Sequence, residues 1–236
     1  MNAPVLVLSN ALGTTSQLWD PNVQQWSGAL RVLRYDHGRR NDVAQLGRDL
    51  IGLLDEQGVE RASLCGLSIG GATGMWLAAN ATERVDRLVL ACTSARFSDP
   101  EPWLERAAVV REHGVEAIAD LQLGRWFTGH EPPDVVDRYR KMLVSTAAED
   151  YAALCEAIAA WDFRDRLGEV RAPTLVIAGA DDPSTPVEHA RVICEGLPAA
   201  RLEVLDDAAH LANVSQPERF SELVLEHVRA PAEVSM

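Results

Sequence analysis

Two hydrophobic patterns alternate along the chain. The first is a short, nearly continuous apolar run: PVLVLS (4–9), RVLRYD (31–36), RASLCG (61–66), VDRLVLACT (85–93), APTLVIAG (172–179) and RLEVLD (201–206). Runs of this length without polar alternation predict strands of a parallel sheet covered on both faces. The second pattern repeats at helical spacing. It covers DVAQLGRDLIGLLDEQG, with Asn41 as cap and Gly58 as stop, and then 69–80, 186–197 and 216–230, the last with Pro217 near its start. Strand and helix in turn predict a doubly wound α/β fold with a mostly parallel sheet. The tail APAEVSM reads as frayed.

Between Phe97 and Leu167 the alternation stops. PEPWLERAAVVREHG, VEAIADLQLGRWF and a long segment from Pro133 to Phe163 are helical, and no strand is evident. The expected organisation is therefore a core of residues 1–96 and 168–236, with 97–167 inserted as a helical lid (cap) over the C-terminal ends of the strands.

Composition narrows the partners. The chain has 236 residues and a net charge of −13. That charge argues against nucleic acid, which needs clustered Lys and Arg. An anionic substrate would need a local arginine, since the overall field repels it. No apolar run reaches the roughly 18 residues of a membrane span, and the start has no basic, signal-like region. The four cysteines, Cys65, Cys92, Cys155 and Cys194, are scattered and show no zinc spacing. A cytoplasmic protein with buried thiols is expected, with no membrane partner.

The chemistry begins at CGLSIGG, residues 65–71. A serine between a strand and a helix, flanked by glycines two positions away, fits a sharp turn that exposes Ser68 as a nucleophile. The helix that follows offers the Ile69 N–H to a developing oxyanion. Alone, the same five residues fit any strand-to-helix turn. A serine needs a base, and the base an orienting acid. Of six histidines, His210 follows the strand at 201–206 and so shares a sheet rim with Ser68. AGADDPSTP offers Asp181 and Asp182 at another strand end. Asp182 is taken as the acid and Asp181 is left to cap the next turn. The loop SNALGTT supplies a second oxyanion amide, Ala11, with Leu12 as the alternative.

With these residues in place, the chain resembles the α/β-hydrolase superfamily. Within it, LSNALGTTSQLWD, ERASLCGLSIGG, GRWF, AGADDPSTP and AAHLANVSQPERF look like bacterial 3-oxoadipate enol-lactonases. The resemblance implies a Ser68, Asp182, His210 triad, an Ala11 and Ile69 oxyanion hole, and hydrolysis of the enol-lactone in aromatic catabolism with no metal or organic cofactor. It also implies a clamp for the substrate carboxylate, for which Arg125, Trp126 and Trp161 are candidates. The same triad could serve another small ester, a perhydrolase or a carbon–carbon hydrolase reaction. A catalytically silent ligand-binding relative is the non-enzyme alternative.

Two departures stand out. Relatives begin with an antiparallel strand pair before the strand matched by PVLVLS, and they carry a longer loop after the YD strand, of which HGR looks like a remnant. The missing pair predicts an open sheet edge, a lower melting point and self-association, so a homo-oligomer is one expected form.

Overall fold

The computed structural model describes residues 3–230; the frayed-tail expectation falls outside them, apart from Ala230. Six strands form one parallel sheet: β1 (Val5–Ser9), β2 (Arg31–Tyr35), β3 (Ala62–Leu67), β4 (Val85–Ala91), β5 (Thr174–Gly179) and β6 (Ala200–Leu205). Their spatial order is β2-β1-β3-β4-β5-β6. β3 and β5 are buried at every position and β4 at all but one, which requires helices on both faces.

The helices in chain order are α1 (Asp20–Trp26), α2 (Val43–Glu56), α3 (Ile69–Asn80), α4 (Glu101–His113), α5 (Ala119–Trp126), α6 (Pro133–Val144), α7 (Ala148–Ala159), α8 (Val187–Gly196), α9 (Ala212–Ser215) and α10 (Pro217–Arg229). α3 packs on β1, β3 and β4 with α2 beside it, and α10 packs on α1 and reaches β4. β2 is an edge strand whose ladder partner is β1. Between β4 and β5 the described chain makes α4 to α7 and no strand; α4 and α7 pack against each other.

Several boundaries differ from the sequence reading. The cap of α2 is Asp42, not Asn41: its side chain accepts the Ala44 N–H. An aspartate one residue nearer the helix outcompetes the asparagine for the free amides. β4 ends at Ala91, where Cys92 turns to a φ of 42°, although its N–H still donates to the Ile177 carbonyl of β5 at 2.8 Å. The single long helix read from Pro133 to Phe163 is two helices, broken over Ser145–Ala147. α1 and the four-residue α9 carry too little periodicity to be read in advance.

A buried polar lock joins the two ends of the chain. Asn22 of α1 donates to the Asn213 carbonyl at 3.1 Å and to the Ser221 hydroxyl at 3.0 Å, and Asn213 donates to the Leu18 carbonyl at 3.0 Å. Trp26 adds an indole N–H to the Ser221 carbonyl at 3.1 Å. Both asparagines are fully buried, so each bond spares a desolvated group. The lock fixes α9, which begins two residues after His210.

Candidate active site

Ser68 sits where β3 turns into α3. Its φ of 59° and ψ of −120° lie in a region that a side chain rarely adopts, at a cost of roughly 1–3 kcal/mol. Its surroundings fix this conformation. The Ser68 N–H donates to the Ala91 carbonyl at 3.0 Å, and its carbonyl accepts the Thr93 hydroxyl at 2.6 Å and the Gly71 N–H at 2.9 Å. The two flanking glycines are steric necessities. A Cβ on Gly66 would stand 2.1 Å from the Gly70 carbonyl oxygen, and one on Gly70 would stand 2.2 Å from the Ser9 carbonyl oxygen. The second contact also shows that the backbone at the end of β1 presses against the first turn of α3. The loop holding Ala11 is thereby brought beside Ser68.

Asp182 and His210 form a second buried unit. His210 Nδ1 lies 2.8 Å from Asp182 Oδ2, and the Asp182 carboxylate has no exposed surface. Its four hydrogen bonds are complete: Oδ2 also accepts the Thr185 hydroxyl at 2.6 Å, and Oδ1 accepts the Ser184 and Thr185 N–H groups at 2.8 and 3.1 Å. Burial opposes its ionisation, but the His210 charge and these bonds outweigh burial, so its pKa lies below the ordinary carboxylate value. Asp182 therefore does both jobs that the sequence reading divided. It caps the turn through Oδ1 and orients His210 through Oδ2. Asp181 is exposed, and its N–H donates to the Ala208 carbonyl.

With Nδ1 held by Asp182, His210 Nε2 has no protein partner among the described residues. The ring lines the same cavity as Ser68. No hydrogen bond joins His210 to the Ser68 hydroxyl among the described contacts; such contacts commonly tighten only around substrate. The Ile69 and Ala11 amides are buried and donate to no acceptor among the described residues, as oxyanion donors must. The Leu12 amide is free in the same way, so it stays the alternative.

The cavity holds about 200 Å³, below the roughly 300–1,000 Å³ usual for drug-sized ligands, which suits a small substrate. Leu12, Arg125 and Trp126 are among its lining residues. Arg125 and Trp126 also support His210 through the backbone. Their carbonyls accept the His210 and Leu211 N–H groups at 3.4 and 3.1 Å. Trp161 is not among the lining side chains. Its indole donates to the Ser94 carbonyl at 3.0 Å and its ring stacks on Phe163, so it packs beneath the site.

Sequence reasoning missed Arg106, Trp103 and Gln122, which line the cavity too. The Arg106 guanidinium lies 4.4 Å from the Trp103 ring centre. Neither Arg106 nor Arg125 has a carboxylate partner among the described residues, unlike most arginines of the chain. Burial and then the Arg106 charge lower the pKa of Arg125. A further donor lining the cavity is unused: the Gln122 side-chain NH₂ is buried without a partner among the described residues. The site thus joins a serine–histidine–aspartate set to a cluster of unpaired donors. Among the described residues no three His, Cys, Asp or Glu side chains gather in a way that could hold a metal ion, and no helix is long and apolar enough to cross a membrane.

A family model for the alpha/beta hydrolase fold matches residues 26–217. The chain belongs to this family. Among relatives of this α/β hydrolase, 3-oxoadipate enol-lactonase 2 of Acinetobacter baylyi is 38% identical over 233 residues, covering 94% of this chain and 87% of the relative. A protein named putative carbamate hydrolase RutD, from a Caulobacter species, is 28% identical over 96% of this chain and 91% of its own length. Among solved structures, the enol-lactonase from Burkholderia xenovorans LB400 superposes with a TM-score of 0.94 at 38% identity, covering 98% of this chain and 93% of that one.

Proposed function

We infer that the chain is a serine hydrolase that opens 3-oxoadipate enol-lactone to 3-oxoadipate. The observation that carries this reading is the junction of two features in one small cavity. Ser68 and the Asp182-oriented His210 face a space that also presents Arg106 and Arg125 without acid partners. A lactone carrying a carboxylate uses both. Enol-lactonases at 38% identity with near-complete coverage support the choice.

In the first step His210 Nε2 takes the Ser68 proton as Oγ bonds to the lactone carbonyl carbon. The carbonyl oxygen becomes an oxyanion held by the Ala11 and Ile69 amides. The intermediate collapses, the ring carbon–oxygen bond breaks, and the enol oxygen takes the proton from His210. The enol stays on the acyl chain and tautomerises to the ketone. Water then gives a proton to His210 and attacks the acyl carbon, and Ser68 leaves with that proton. One water is consumed, and the acid that forms releases a proton to solvent, so the product carries two carboxylates. Asp182 stays ionised throughout and steadies the imidazolium. The helices α4 to α7 act as a lid, with Arg106 and Arg125 holding the substrate carboxylate through charge-assisted bonds.

The test is a panel of the enol-lactone, simple lactones and p-nitrophenyl acetate, each with wild type and Ser68→Ala. The reading expects the enol-lactone to have the highest kcat/KM. Preference for acetate esters, without enol-lactone turnover, would replace it by a general esterase. Turnover unaffected by Ser68→Ala would remove the nucleophile.

A further inference from the structure

The proposed mechanism gives the Ala11 amide a role but leaves unexplained what aims it. A peptide plane in a loop can rotate, and a donor turned away from the reacting carbon stabilises nothing. The residue before Ala11 is Asn10, which is fully buried. Its side chain is held at both ends. The Asn10 Oδ1 accepts the Trp19 indole N–H at 2.9 Å, and Nδ2 donates to Asp36 Oδ1 at 3.0 Å. Asp36 Oδ1 also accepts the Ser16 N–H at 2.5 Å, which closes the loop 10–16 around one carboxylate oxygen.

The backbone is held as well. A Cβ on Gly70 would come within 2.7 Å of the Asn10 carbonyl oxygen, so this carbonyl lies against α3 with no room to rotate towards it. On the far side the Ala11 carbonyl accepts both the Thr14 hydroxyl, at 2.8 Å, and the Thr14 N–H, at 3.2 Å. One residue earlier, Ser9 Oγ is 3.1 Å from His37 Nε2. The parallel register pairs Ser9 with Tyr35, so residues 9–10 and 36–37 leave the sheet side by side. Every peptide flanking the Ala11 N–H is therefore clamped, while that N–H itself has no acceptor among the described residues.

We propose that Asn10, gripped by Asp36 and Trp19, is the positioning residue that aims the Ala11 N–H at the oxyanion. The proposal rests on the serine-hydrolase reading above. Asn10 does not touch substrate. It acts on the transition state through the one peptide it controls, so it changes kcat and leaves substrate binding alone.

The pair allows a decisive exchange. In Asn10→Asp the Nδ2 donor becomes a carboxylate oxygen facing the Asp36 carboxylate, and the two repel. Adding Asp36→Asn restores a donor to that contact from the other side. The acceptor for Trp19 is kept in both arrangements; the Ser16 N–H, which shares Asp36 Oδ1 with Asn10, loses that oxygen in the exchanged pair, so the exchange restores the contact to residue 10 and not the one to Ser16. The expected result with p-nitrophenyl acetate is a fall in kcat of roughly 10²-fold for Asn10→Asp, the scale of losing one oxyanion donor. KM should be unchanged, and Asn10→Asp/Asp36→Asn should recover part of the loss, the Ser16 contact staying broken. A boronic acid that mimics the tetrahedral intermediate should lose affinity in Asn10→Asp by a similar factor. Where Asn10→Asp does not fold, Asn10→Ser carries the same kcat and boronate measurements, with the same expected split.

Unchanged kcat in a folded variant overturns the proposal. So does a loss of kcat with full boronate affinity, or a loss of which Asp36→Asn recovers no part. Failure of the underlying reading looks different. There, the wild-type activity itself would not depend on Ser68, whereas failure of this proposal leaves Ser68-dependent activity intact with Asn10 indifferent.

Discussion

Asp182→Asn probes the coupling between Asp182 and His210 without changing the shape of the site. Asn keeps one oxygen, and the Ser184 and Thr185 amides at 2.8 and 3.1 Å determine where it goes. Its NH₂ must then face the Thr185 hydroxyl and His210 Nδ1. The hydroxyl can rotate to accept. The imidazole can accept only by moving its own proton to Nε2, the nitrogen that must take the proton from Ser68. The base is thereby filled before reaction begins. Loss of the correct tautomer costs on the order of 10⁴ in kcat, about 5 kcal/mol of barrier. Stability should fall far less, by about 1–3 kcal/mol, because the four bonds to residue 182 lose their charge assistance but keep partners, and the cavity is unchanged. The assay is kcat and KM on p-nitrophenyl acetate at neutral pH, beside a thermal melt. The expectation is a collapsed kcat, an ordinary KM and a folded protein. A folded variant within about tenfold of wild-type kcat would refute the tautomer argument, since a filled base cannot sustain that rate.

Other outcomes follow from neighbouring groups. His37 is buried and its pKa is lowered to about 4, first by burial, with Asp36 and Asp49 opposing. A lowered histidine pKa means that protonation favours the unfolded chain. Stability should thus be full above about pH 6.5 and decline towards pH 4, by about 1.4 kcal/mol per unit and roughly 3 kcal/mol in all. His37→Gln should flatten a plot of melting temperature against pH in that window; an unchanged slope would show that His37 is not the group. Arg106→Ala and Arg125→Ala should each raise KM for the carboxylate-bearing lactone by roughly tenfold to a hundredfold and leave p-nitrophenyl acetate unaffected, since only the lactone uses a charge-assisted bond there. Equal losses on both substrates would place the arginines in folding instead. Trp161→Phe removes the bond to the Ser94 carbonyl and should cost about 1 kcal/mol in a urea melt with activity retained. Activity lost without a change in stability would return Trp161 to the site. Among the described residues β2 has one edge without a strand partner, so the chain should sediment with concentration-dependent self-association; a monomer at every concentration would count against that.

The core of this molecule was legible because its signals are local. The strands are continuous apolar runs, and Ser68 lies between two glycines that only a tight strand-to-helix turn requires. His210 and Asp182 were found by chain order and strand ends, which needs no distances. The errors have a common cause. Asn41 and Asp42 compete for the same free amides, and sequence gives no angle to choose between them. Asp181 and Asp182 are neighbours in sequence, yet only one turns inward. The long helix read from Pro133 hid the break at Ser145, because both halves keep apolar residues at helical spacing. Arg106 and Trp103 lie on α4, whose residues are mostly exposed, so nothing in the spacing separates a cavity arginine from a solvated one. The Ser9–His37 and Asn10–Asp36 contacts depend on the β1–β2 register, which no local pattern encodes.

The most direct test of the account is covalent. Wild-type protein treated with a fluorophosphonate should gain the mass of one phosphonyl group, lose its hydrolytic activity in step, and carry the adduct on the peptide containing residues 65–71. Ser68→Ala should gain no mass and show no turnover above background. Labelling of Ser68→Ala at the wild-type rate, or full activity in a fully labelled wild type, would contradict the claim that Ser68, served by His210 and Asp182, is the nucleophile.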